Sequence, residues 1–305
     1  MSAKFGLIGA PSSAAGHWPG MEKAPTFLRL AGLPERLREA GATVVDHGDL
    51  PVIRWRADLE NPGAQNLDLV VAYLVEIADR IDKAVEAGET PILIGGECTI
   101  TIGAVAGLLR NVDDLGLVYL DGHVDLNTPA STSSGILDSM GMAHMLGQEG
   151  SLDLLSHLGP RYPMLEPDKV IYFGHNEGKM NDVEIEYLAR YGMAAYPISV
   201  FEGSVKRLAE QALAGLDGVG AFLLHFDVDV IRFKDFPIAN VPIHNQGLTF
   251  DQAIEALGVF LASPACVGLV ITEINPDHAN EELGKRFTAG IAHAIATRLS
   301  SQVGV

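Results

Sequence analysis

The stretch Leu117-Val118-Tyr119-Leu120-Asp121-Gly122-His123-Val124-Asp125 is an apolar run that ends abruptly in carboxylates and an imidazole. Consecutive apolar residues without alternation mark a strand covered on both faces, as in a parallel sheet. The same pattern recurs outward from it, at Lys4–Ile8, Thr43–Asp46, Pro91–Ile94, Val170–Phe173, Ala194–Ile198, Ala221–Phe226 and Val267–Thr272. Helical patterns lie between. Ala24–Ala40 has Pro25 in its first turn and ends at Gly41, with Gly32 and Pro34 dividing it. Leu67–Ala87 ends at Gly88, and Val183–Tyr191 stops before Gly192. Thr249 caps Phe250–Leu261, and a last helix covers Glu281–Leu299. Strands alternating with helices from end to end argue for an α/β fold, with residues 1–305 as one domain. No linker, repeat or low-complexity tract divides it. Eight strands suit a closed barrel as well as an open doubly wound sheet, and periodicity does not separate the two.

Composition removes several functions. The 305 residues carry 39 Asp and Glu against 21 Lys and Arg, a formal charge of −18. That balance disfavours a phosphate-tracking nucleic-acid binder and docking on anionic lipid. With 48% hydrophobic and 20% charged residues the chain is globular rather than disordered. Two cysteines, Cys98 and Cys266, exclude a disulfide scaffold and fit a reducing compartment. No apolar run approaches the length of a membrane span. The start, MSAKFGLIGAPSS, reads as a first strand rather than a signal peptide. The expected location is the cytoplasm.

The unusual polar residues fall just after strands, where α/β sheets bind ligands. Pro91–Ile94 is followed by Gly95-Gly96-Glu97-Cys98-Thr99, and Ala221–Phe226 by Asp227-Val228-Asp229. Val267–Thr272 is followed by Glu273-Ile274-Asn275-Pro276. Asp121, His123 and Asp125 are spaced by two, so in extended chain they share a face, and Asp227 and Asp229 repeat that spacing. Converging carboxylates repel one another unless a cation is present. With one imidazole they make a hard O/N site suited to Mn²⁺, with Ni²⁺, Co²⁺ or Zn²⁺ as alternatives. Four shared carboxylates suffice for two divalent ions that activate water. The Ser- and Thr-rich connection Asn127–Leu137 is long enough to be functional.

These residues resemble the ureohydrolase family of arginases and agmatinases across nearly the whole chain. Gly20-Met21-Glu22-Lys23-Ala24-Pro25 with Leu28-Arg29 looks like the family's N-terminal segment. Gly95 to Thr99 stands at its Gly-Gly-Asp-His-Ser motif, and Asp121 to Asp125 with Asn127-Thr128-Pro129 at its Asp-Ala-His-x-Asp motif. Phe226–Asp229 and Glu273–Pro276 are similar to its last two motifs. The resemblance implies a three-layer α/β/α fold around a mainly parallel eight-stranded sheet, which decides against the barrel. It implies a binuclear Mn²⁺ hydrolase cleaving the guanidino or N-hydroxyguanidino group of an arginine-like substrate, through a metal-bridging hydroxide, to urea or hydroxyurea. The implied metal ligands are Cys98, Asp121, His123, Asp125, Asp227 and Asp229. Asp121 and Asp227 would bridge the ions, Asp125 would hydrogen-bond the hydroxide, and Glu273 would meet the guanidinium. Asn127, Ser134 and Thr249 would bind substrate. A homo-oligomer, trimer or hexamer, is implied as well.

Several positions depart from the family pattern. Cys98 and Glu97 replace the family's His and Asp, and a thiolate is a softer ligand with a longer bond. Asp138 stands where arginases have a proton-shuttling His, and it would relay protons only with a raised pKa. His144 is a packing residue on this reading. Ile136 replaces an Asn that contacts the substrate's α-carboxylate, and Arg232 and His175 lie in altered loops. Two other readings follow from these changes: a non-enzymatic paralogue, and a metal-free amidino hydrolase using Cys98 as nucleophile.

Overall fold

In a computed structural model, residues 3–201, 203–216, 218–241 and 246–303 are described, and all eight expected strands form. In chain order the strands are β1 (Lys4–Ala10), β2 (Ser12–Ser13), β3 (Thr43–Asp49), β4 (Ile53–Arg54), β5 (Thr90–Gly95), β6 (Leu115–Leu120), β7 (Val170–Phe173), β8 (Ala194–Tyr196), β9 (Ala221–Asp227) and β10 (Cys266–Thr272). The helices are α1 (Ala24–Leu30), α2 (Leu33–Glu39), α3 (Leu67–Glu86), α4 (Ile100–Leu108), α5 (Gly141–Met145), α6 (Asp153–Ser156), α7 (Asp182–Tyr191), α8 (Val205–Ala214), α9 (Phe250–Ala262) and α10 (Glu281–Val303).

Eight strands pair in the order β3-β1-β5-β10-β9-β6-β7-β8, every pair parallel. The sheet has free edges at β3 and β8, so it is open and not a barrel. The short β2 and β4 pair separately. Along β9, Phe222, Leu224 and Phe226 pack into one apolar layer with residues of α1, α2, α8, α9 and α10. Leu223 packs into the opposite layer with residues of α3, α4 and α5. Strand alternation thus splits the core into two layers flanking one sheet.

Most helices follow their local signals. Gly32 adopts a left-handed φ of 84° and divides α1 from α2 as expected. Thr249 and Gln252 form a reciprocal capping box at the start of α9. Helix α4 is unforeseen because all nine of its residues are buried, so it shows no polar face for a periodicity to detect. Strand β8 stops at Tyr196 because Pro197, which cannot donate to a ladder, leads into a single turn at Ile198–Val200.

Because β5, β10, β9 and β6 are adjacent, their carboxyl ends open onto one crevice. Gly96 brings the turn after β5 against β2: a Cβ there would lie 1.7 Å from the Ser12 carbonyl oxygen. Among the described residues no helix is long and apolar enough to cross a membrane.

Candidate metal centre and active site

The crevice gathers side chains from all four strand ends. Cys98 follows β5, Asp121 and His123 follow β6, Asp227 ends β9 with Asp229 in the next turn, and Glu273 follows β10. Two donor groups meet at Asp121. Cys98, Asp121, His225 and Asp227 place ligand atoms within 4.8 Å of one another, and so do Asp121, His123 and Asp229. The two oxygens of Asp121 face different groups. Oδ2 lies 3.2 Å from His225 Nε2 and 3.8 Å from Cys98 Sγ, while Oδ1 lies 3.8 Å from His123 Nδ1. His123 Nδ1 is also 2.9 Å from Asp229 Oδ2.

Main-chain donors hold the carboxylates in place. Asp121 accepts from the His123 N–H at 2.6 Å, Asp227 from the Asp229 N–H at 2.7 Å, and Asp229 from the Gly122 N–H at 3.0 Å. Each of these contacts leaves the other carboxylate oxygen directed at a donor group. A third group, Cys98, Asp138 and Glu273, adjoins the first. Asp138 accepts from the Cys98 N–H at 2.7 Å. Glu273 is buried, and its Oε1 has no hydrogen-bond partner among the described residues.

Asp125 and Glu273 both stand on left-handed backbone, at φ of 49° and 63°. Residues with a Cβ take that conformation at a cost of about 1–3 kcal/mol and do so mainly at functional sites. The turn at Asp125 directs its carbonyl to the N–H groups of Met142 and Ala143 at the start of α5. Its carboxylate accepts from Tyr119 OH at 2.5 Å.

Burial raises the carboxyl groups of Asp121, Asp125, Asp227 and Glu273 well above the usual carboxylate range, and neighbouring carboxylates add to it. Asp138 is pushed up to about 6, first by burial. Glu97 rises to about 7, by burial and then by Asp138. Burial alone would lower His123, but Asp229 beside it carries it up to about 9. Burial pushes the His225 imidazole down to about 3. Clustered acids in this condition favour uptake of protons or of cations. The mixture of carboxylate, imidazole and thiol donors, with an orphaned buried Glu273 oxygen beside them, fits divalent metal ions.

The Cys98 thiol is raised well above its ordinary value, by burial and then by Asp227 and Asp121. It donates to Asp227 Oδ2 at 2.9 Å. A protonated thiol facing carboxylates is a poor nucleophile by itself, which counts against the metal-free Cys98 route.

The substrate-side candidates are more dispersed. Asn127 lines a cavity of about 100 Å³ with His123, Asp125, Ser139, Lys179 and Asn181. Its amide donates to Glu184 and accepts from Ser131 and Asn181. Ser134 sits on the same connection, paired with Thr132 at 3.0 Å, and Gln65 donates to its carbonyl. Thr249 Oγ1 accepts from the Gln252 N–H at 3.1 Å as a helix cap, leaving its own proton to donate. Arg232 pairs with Asp235 at 2.9 Å as a loop charge. His175 is buried with Nδ1 unpartnered among the described residues, and burial lowers it to about 4. His144 is fully buried in α5, as the packing reading required.

Two features of the site were not foreseen. Asp125 belongs to neither metal-ligand group among the described residues, and His225 stands in the first. The sequence held a sign of the second: Phe222-Leu223-Leu224-His225-Phe226-Asp227 carries an imidazole in the middle of an apolar strand, two residues before a carboxylate. A period of two puts both on one face.

The family model of the arginase family matches residues 3–300. The chain belongs to the arginase family. Members are hydrolases acting on C–N bonds in linear amidines and depend on a binuclear metal centre, and this chain carries the carboxylate-rich cluster such a centre needs. The arginase of Bacillus subtilis (strain 168) is 28% identical over 284 residues, 92% of this chain and 94% of that protein. Arginase-1 of Homo sapiens is 28% identical, covering 97% and 94%. Among solved structures, the arginase of Bacillus caldovelox superposes with a TM-score of 0.89 at 24% identity, over 97% of this chain and 98% of that one. The formimidoylglutamase of Bacillus subtilis has the same fold at a TM-score of 0.73 and 16% identity, over 99% and 87%. Cys98 and Asp138 both lie beside the carboxylate cluster, Cys98 in a group with Asp121 and Asp227 and Asp138 in one with Cys98 and Glu273.

Proposed function

We propose that the protein hydrolyses the guanidino or N-hydroxyguanidino group of an arginine-like amino acid to urea or hydroxyurea. The observation that carries this reading is the bridging disposition of Asp121, whose two oxygens face two separate donor groups. His123 and Asp229 complete one group and Cys98 and Asp227 belong to the other, and these are the groups that would hold two divalent ions. The O/N group of Asp121, His123 and Asp229 suits Mn²⁺. When bound, the ions make hydroxide available from water near neutral pH.

The chain's own groups supply the rest. Asp125, held by Tyr119, orients the attacking oxygen by accepting a hydrogen bond from it. Glu273 Oε1, without a protein partner among the described residues, accepts a guanidinium N–H and fixes the carbon against that oxygen. Asp138, which accepts from the Cys98 N–H and whose carboxyl is pushed up to about 6 by burial, relays a proton to the leaving amine. Asn127 and Ser134 meet the amino-acid end of the substrate, and Lys179 places a cation on the same cavity for a carboxylate. A homo-oligomer, trimer or hexamer, and a cytoplasmic location belong to the same reading.

The test is release of urea or hydroxyurea from a panel of guanidino acids, including L-arginine and N-hydroxy-L-arginine, after loading with Mn²⁺. Activity should disappear on chelation and in Asp227→Ala. Turnover that survives both, or a loaded protein that turns over no guanidino compound, refutes the reading.

A further inference from the structure

His225 is fully buried at the centre of β9, and no step above uses it. Its ring is fixed on three sides. It stacks on Tyr119 with centroids 4.0 Å apart and planes inclined by 12°. Nδ1 lies 2.8 Å from Thr101 Oγ1 on α4. Nε2 points at the strand ends, 3.2 Å from Asp121 Oδ2 and 3.5 Å from Thr272 Oγ1. Cys98 Sγ approaches from β5, 2.9 Å from Asp227 Oδ2 and 3.4 Å from the same Thr272 hydroxyl.

We propose that His225 Nε2 is a metal ligand, completing with Cys98, Asp121 and Asp227 a four-coordinate site that prefers Zn²⁺ or Co²⁺ to Mn²⁺. The geometry supports it. A tetrahedral ion with ordinary Zn–S, Zn–N and Zn–O bonds has ligand edges of about 3.4 Å between N and O and about 3.6 Å between S and O. The N–O edge here is 3.2 Å, and the S–O edges are 2.9 and 3.8 Å. All four donor atoms lie within 4.8 Å of one another. The Thr101 hydroxyl can accept from Nδ1–H, the contact that frees Nε2 for a metal and fixes the ring's direction.

The donor set sets the preference. One thiolate, one imidazole and two carboxylates make a borderline-soft site, whereas Mn²⁺ prefers oxygen-rich, six-coordinate surroundings and binds weakest of the first-row divalent ions. The neighbouring group, Asp121, His123 and Asp229, has no sulfur and stays hard. The two sites of one centre therefore differ in the ion they select.

The alternative is that His225 only hydrogen-bonds Asp121, with the proton on Nε2 and Thr101 donating to Nδ1. Zn²⁺ X-ray absorption separates the two in His123→Gln protein loaded with one equivalent, where His123 cannot contribute its ring. The expected first shell holds one sulfur at about 2.3 Å and one imidazole at about 2.0–2.1 Å. Sulfur without imidazole, or no sulfur, overturns the proposal. In wild-type protein the first equivalent of Co²⁺ should give a thiolate charge-transfer band with intense visible bands of a four-coordinate ion. Cys98→Ser should abolish the charge-transfer band. His225→Gln should keep it, shift the visible bands and weaken binding by about 100-fold or more. Unchanged Co²⁺ spectrum and affinity in His225→Gln overturn the proposal as well. The proposal shares with the functional reading only the presence of a metal centre, and these measurements need no turnover. Failure of the guanidino assay with these signatures present would refute the proposed reaction alone.

Discussion

His144 provides the sharpest test of the packing. It is fully buried in α5, where all five residues are inside the protein. Nδ1 accepts only a long 3.3 Å contact from the Leu152 N–H, and Nε2 has no partner among the described residues. Burial lowers its imidazole from 6.5 to about 4. The folded state therefore resists protonation that the unfolded chain accepts. Stability from this group is fully present above pH 6.5 and is lost as pH falls towards 4. Integrated between pH 7 and pH 5, the loss is about 2 kcal/mol. His144→Gln removes the titration while keeping an acceptor for Leu152. Urea unfolding of both proteins at both pH values gives a difference of differences from which the metal-site carboxylates, common to both, cancel. The wild type should lose about 2 kcal/mol more than the variant. Equal losses would refute the argument from burial. Turnover of the variant should match wild type, and collapse of kcat with the fold intact would make His144 a proton relay instead.

Gly96→Ala should abolish soluble folded protein, read from yield and near-UV circular dichroism, because its Cβ would lie 1.7 Å from a backbone oxygen that cannot rotate away. Tyr119→Phe keeps the ring beside His225 but strips Asp125 of its 2.5 Å hydrogen bond. It should cost about 1–3 kcal/mol in denaturant unfolding and lower kcat with it. Thr249→Ala should cost about 1 kcal/mol as a lost helix cap. If Thr249 also donates to substrate, KM for the guanidino acid rises, and an unchanged KM limits it to capping.

How much was legible beforehand follows from what each residue reports about itself. Strand ends show in sequence because a parallel strand is apolar throughout and stops at the crevice, as Leu115–Leu120 stops before Asp121. Helices α3, α7 and α9 show through their polar faces and ends. Helix α4 does not, since a helix buried on every side has no polar face. The carboxylates were readable from their spacing by two. The left-handed backbone of Asp125 was not, because spacing by two describes extended chain, and a φ of 49° is not extended. His225 needed a third dimension: its partners Thr101, Tyr119 and Cys98 come from α4, β6 and the turn after β5, all distant from it in sequence.

The left-handed backbone at Asp125 and Glu273 has a consequence for how this protein can change. Glycine at either position would relax the main chain, by about 1 kcal/mol or more, and would delete a carboxylate of the site. A library sorted on heat resistance alone should therefore enrich glycine at these two places and accumulate inert proteins. One sorted on turnover should hold the acids against that gradient. The two turns are where robustness and activity pull the sequence in opposite directions.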